Sequence, residues 1–202
     1  MRLFGGSGGR DEKVSPRVPR VSSGWSHLLK TMREEEGQRI LDMGQTSSNN
    51  INFLTGLGHS VYMANLVSEA RDPKWVREEG EPFPVDAFLE ENFNFSGRHF
   101  DTVLFWDTAD YLSPALRNAV VARLYDVLEP GGKLLALFHI KPETGWQRYH
   151  LREDGQVDAQ HISDLSVTET MNNRQIEQLF GSFKAYTFFL AKDNLREVIV
   201  TR

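Results

Sequence analysis

The stretch Arg39–Leu54, RILDMGQTSSNNINFL, constrains this chain more than any other. A short apolar run of Ile40, Leu41 and Met43 stops at Asp42-x-Gly44. A turn of small polar residues then leads into a segment that can enter a helix at Asn49–Asn50. Strand, tight turn and helix in that order form the opening unit of an α/β fold, and such folds bind ligands where their strands end.

The length of 202 residues suits one domain with a sizeable core. Its apolar content of 40% and aromatic content of 11% are ordinary for a globular chain. The absence of cysteine excludes disulfides, catalytic thiols and cysteine-bound zinc or iron–sulfur centres. A net charge of -5 argues against a surface that grips nucleic acid throughout. No run reaches the roughly 18 apolar residues of a membrane span. The N-terminus has no apolar segment of the secretory kind, so the cytoplasm is the expected compartment.

Residues 1–22 are rich in Gly, Ser, Pro and Arg without periodicity, which predicts a flexible tail ahead of a single domain over 23–202. Arg10, Lys13, Arg17 and Arg20 would make a basic arm if that tail meets nucleic acid; solvated charge is the plainer reading. Trp25, Leu28, Leu29 and Met32 predict a helix from Ser23 to about Glu36. Further on, Ser60–Leu66 reads as a second strand, Val85–Leu89 as a short third and Phe100–Trp106 (FDTVLFW) as a fourth buried on both faces. Ser113–Leu128 reads as a helix with Pro114 at its first position, and Lys133–Ile140 as a fifth strand after the turn Glu129-Pro130-Gly131-Gly132. Gly145–Gln160 suggests a hairpin around Asp154-Gly155, and Thr168–Phe180 a helix. Tyr186–Leu190 and Arg196–Thr201 lie too close together for a crossover and must pair antiparallel.

This order resembles the class I S-adenosylmethionine-dependent methyltransferases. LDMG (41–44) falls at that family's first motif, WDTADYL (106–112) at the end of its fourth strand, and LEPGGKLLALF (128–138) at its late turn and fifth strand. The resemblance implies a Rossmann-like, mostly parallel seven-stranded sheet with helices on both faces and a C-terminal antiparallel β-hairpin. It also implies S-adenosylmethionine as cofactor and an enzyme that transfers a methyl group; the acidic net charge and the lack of an appended recognition domain point to a small-molecule acceptor.

On that resemblance the cofactor contacts would be Asp42, Gly44, Thr46, Asn65, Asp86 and Asp107. The family's second and third glycines are replaced by Thr46 and Ser48, and Thr46 would be strained if a positive φ were required. Asn65 stands where an acid usually receives the ribose, and Asp86 is the nearest candidate for the adenine. Each has an alternative: Asp42 braces its turn, Gly44 ends a strand, and Asp107 and Asp110 cap the following helix. Candidates for a catalytic role are Asp110, Tyr111 and His139, with Tyr149 and His150 close in sequence; a histidine there would serve as general base or simply pack. His27, His59, His99 and His161 lack metal-ligand spacing, so no metal site is expected. The departures at Thr46, Ser48 and Asn65 motivate a rival reading, a methyltransferase fold that has lost catalysis and serves as a binding or scaffold module.

Overall fold

A computed structural model describes residues 15–189 and 193–202. The elements are β1 (Arg17–Val21), α1 (Ser23–Glu34), β2 (Arg39–Met43), α2 (Ser48–Gly56), β3 (Ser60–Ala64), α3 (Leu66–Glu69), α4 (Val85–Asn92), β4 (Phe100–Trp106) and α5 (Pro114–Val127). They continue as β5 (Leu128–His139), β6 (Thr144–Leu151), β7 (Gln156–Ser166), α6 (Asn173–Leu179), β8 (Ala185–Phe189) and β9 (Leu195–Thr201). The main sheet has the order β3-β2-β4-β5-β9-β8. Its first four strands are parallel, and β9 runs antiparallel to both β5 and β8.

Alternation along the strands divides the core in two. Leu41, Val103, Phe105, Leu134 and Ala136 point to one face, where α4, α5 and α6 pack. Ile40, Leu104, Trp106, Leu135 and Leu137 point to the other, beneath α1 and α2. Helix α1 lies close on the sheet because of Gly24: a β-carbon there would come 2.6 Å from Leu135 Cδ1. Helix ends follow local chemistry, with Ser22, Ser47, Ser113 and Asn172 accepting from backbone amides, and Asn172 and Gln175 forming a capping box.

Three expectations need correction. Val85–Leu89 is helical, so the sheet has six strands and not seven. Val85, Phe88 and Leu89 are spaced for one helix face, and Phe88 and Leu89 are buried, so the 3.6-residue period prevails over a run that looked apolar enough for a strand. Strand β5 begins at Leu128, with Gly131 at φ +84° carrying the expected turn into the strand itself. Lastly, the expected tail contains β1, which pairs with β7 from Arg17↔Gln160 to Val21↔Gln156. Pro19 is tolerated there because β1 is an edge strand of the second sheet, β1-β7-β6. The closing strands β8 and β9 pair as their spacing demands; residues 190–192 between them, and the basic residues Arg10 and Lys13, lie outside the described residues.

Arg20 on β1 is buried and serves the fold's interior. It pairs with Glu197 on β9 and, at 2.6 Å, with Asp193. Glu197 also accepts from the Gly24 amide at 2.5 Å, so one carboxylate joins β1, α1 and the main sheet. Without Glu197, Arg20 would keep Asp193 but the buried Gly24 amide would lose its acceptor, at a cost of about 1–3 kcal/mol. Glu197→Ala is therefore expected to lower unfolding free energy by about that amount in urea titration, and a loss below about 1 kcal/mol would contradict this role.

Candidate functional site

The site begins at the C-terminal end of β2. Gly44 has φ +137°, a region that favours glycine, and its amide donates to Ala64 O at 2.8 Å. Thr46 lies outside the positive-φ region, so the strain its branching would have caused does not arise. Ser47 caps α2, which places Asn50 in the first turn facing inward.

Asp42 is 1% exposed, and both carboxylate oxygens are engaged. Trp106 Nε1 donates to Oδ1 at 2.7 Å and Asn50 Nδ2 to Oδ2 at 3.1 Å. Burial raises the Asp42 pKa, and these two bonds oppose the rise. Asn50 also donates to Tyr149 O at 3.0 Å and accepts from the Leu151 amide at 2.8 Å, pinning β6 over the turn. The indole of Trp106 stacks on Tyr149, centroids 5.0 Å apart and planes 16° apart. It also closes the face of Gly44, where a β-carbon would lie 3.6 Å from Trp106 Cδ1. Trp106 has φ +48°, a left-handed conformation rare for so bulky a residue.

The other expected cofactor residues are dispersed. Asn65 caps α3, accepting from the Ser68 amide at 3.2 Å and donating to Ser68 Oγ at 3.1 Å. Asp86 sits exposed in the first turn of α4, away from any strand end. Thr46 is half-buried near Asp42, and its hydroxyl makes no hydrogen bond of good geometry among the described residues. Asp107 is buried beneath Tyr149, whose hydroxyl donates to it at 2.8 Å.

The catalytic candidates do come together. Asp110 Oδ2 accepts from the His139 amide at 2.6 Å and lies 2.8 Å from His139 Nδ1. Tyr111 is edge-on to His139 and donates to Gly145 O at 2.7 Å. Burial pushes Asp107 up to about 7, with His139 opposing the rise, and burial also raises Asp110. Burial opposes protonation of His139, but Asp110, Asp107 and Glu143 outweigh it and the pKa rises. His139 and Tyr149 border a cleft of about 720 Å³ that reaches past Glu143 to Pro19 and Val18 on β1. His150 is buried elsewhere, beside Gln160 Oε1 at 2.8 Å. No group of side chains with metal-binding geometry occurs among the described residues.

Sequence reading missed Asn50 and the packing role of Trp106 and Tyr149. A tryptophan at the last position of a buried strand, where ligands bind, was the available signal.

No protein-family model matches the chain, and no curated protein matches it. Solved structures do match. A protein from Pyrococcus horikoshii OT3 aligns with TM-score 0.54 at 13% identity, covering 88% of this chain and 88% of that one. A SAM-dependent methyltransferase from Methanosarcina mazei gives 0.52 at 14% identity, over 86% of this chain and 96% of that one. The 1,6-didemethyltoxoflavin-N1-methyltransferase of Burkholderia thailandensis was solved with 1,6-didemethyltoxoflavin and S-adenosylhomocysteine. It gives 0.50 at 13% identity, over 89% of this chain and 77% of that one. This is the class I methyltransferase fold. In this chain each Asp42 carboxylate oxygen accepts one hydrogen bond, and Trp106 Cδ1 lies at van der Waals distance from the open face of Gly44.

Asp107 makes a pH-dependent contribution. Its folded pKa of about 7 exceeds the ordinary 3.8, so the native state holds a proton that the unfolded chain gives up. Its contribution is therefore most favourable below about pH 4 and declines until about pH 7, by at most about 4 kcal/mol. Asp107→Asn is expected to gain stability relative to the parent between pH 4 and pH 8 in urea titrations. A difference independent of pH would refute the assignment.

Proposed function

We propose that this chain is a binding protein built on the methyltransferase fold, with the family's cofactor site filled by its own side chains. The carrying observation is the Trp106–Asp42 hydrogen bond at 2.7 Å beneath the Tyr149 stack. In this reading Trp106 and Asn50 stand where a cofactor would approach the turn, and Asn65 brings no charge to the second strand's end. In this reading the ligand is a small molecule taken in the cleft beside His139. The described residues act as one domain that includes β1, and the protein works in the cytoplasm. No helix among the described residues is long and apolar enough to cross a membrane. The basic-arm reading loses support because Arg20 is spent inside the fold.

A second reading, methyl transfer from S-adenosylmethionine to a small-molecule acceptor, is favoured by one observation: Asp107 and Asp110 gather behind His139 after β4 and at the end of β5, and His139 lines the cleft. Here His139, held by Asp110 through Nδ1, would receive the acceptor's proton at Nε2. Trp106 would first have to leave Asp42.

Thermal unfolding with S-adenosylhomocysteine separates the two. A ligand at about 100 times its Kd stabilises by about 2.7 kcal/mol, which for a domain of this size raises Tm by roughly 5 °C or more. We expect no rise at about 1 mM ligand; a rise of that size would overturn the closed-site reading and restore methyl transfer.

A further inference from the structure

The cleft beside His139 has features that specify its ligand. Its base is the His139 imidazole, a side chain 3% exposed. Nδ1 is committed to Asp110, while Nε2 has no hydrogen-bond partner among the described residues and lies 3.9 Å from Glu143 Oε2. The walls include Ala159 and Leu195, and the rim carries Val18 and Val21, which are 59% and 72% exposed. Such valines on one rim leave apolar surface in search of cover.

Among the described residues, the charges around this cavity are unbalanced. Arg20 is shared between Asp193 and Glu197, which leaves one negative charge in excess. His139 faces Glu143 and is backed by Asp110 and Asp107, so even a protonated imidazole leaves that group negative. His161 pairs with Asp164 at 3.1 Å. Lys141 is exposed beside the cleft and does not line it. A concave, partly apolar cavity with this excess concentrates cations.

Resting on the small-molecule reading above, we propose that the cleft binds an amine with an apolar body. The ammonium would donate to Glu143, beside the His139 ring, while the apolar portion covers Val18, Pro19 and Leu195. Glu143 retains acceptor capacity because Asn194 Nδ2 engages only its Oε2, at 2.6 Å.

Three probes of one shape test the proposal on the full chain: phenethylamine, 2-phenylethanol and phenylacetate. Each is titrated while the His139 ring carbon is followed by NMR, with its signal identified from His139→Gln. Phenethylamine should shift that signal at lower concentration than the alcohol, and phenylacetate should not shift it. Glu143→Gln, at a half-exposed position, should weaken phenethylamine by about threefold to fivefold while leaving 2-phenylethanol unchanged. The proposal is overturned if phenylacetate binds as well as the amine, if no probe moves the signal, or if Glu143→Gln leaves the amine's affinity intact. S-adenosylhomocysteine is scored separately. Stabilisation by it alongside amine binding would sink the closed-site reading and leave the amine cleft standing.

Discussion

Asp42 is the hinge of this architecture. A carboxylate removed from water must recover its lost hydration from fixed donors, and here the donors come from two distant segments. Trp106 arrives from the end of β4, and Asn50 from the first turn of α2. Because Asn50 also holds the backbone of Tyr149 and Leu151, satisfying Asp42 sets the position of the second sheet. The same bonds that complete the core thus run across the turn that follows β2.

A buried ion network provides a second anchor. Arg20, Glu197 and the Gly24 amide join β1, α1 and β9. The small sheet β1-β7-β6 is therefore anchored at both ends, by Asn50 at β6 and by Arg20 at β1. The open cleft lies between those anchors, bordered by residues from β1, β6, β7 and the approach to β9.

Most of the main sheet was legible because strands buried on both faces announce themselves as apolar runs, and FDTVLFW is one. The start of α5 was equally readable, since proline at the first helical position is local chemistry. Val85–Leu89 was misread because five apolar-rich residues fit either period, and only burial decides between them. Strand β1 was invisible because arginine and proline read as a loop, and its reason for being a strand is Glu197, distant in sequence. Asp110, Tyr111 and His139 could be nominated from position alone, and they do meet. The occupation of Asp42 could not be read, because it depends on where Trp106 and Tyr149 converge in space.

The left-handed backbone at Trp106 has an energetic consequence. Such a conformation costs about 1–3 kcal/mol, comparable with the roughly 1.5–3 kcal/mol of a hydrogen bond to a charged group. The two nearly cancel, so the indole is held in place chiefly by its stack on Tyr149 and by the apolar area it buries. A latch with so small a net surplus resembles a spring under load: whatever loosens Tyr149 releases the strain and helps drive the indole outward.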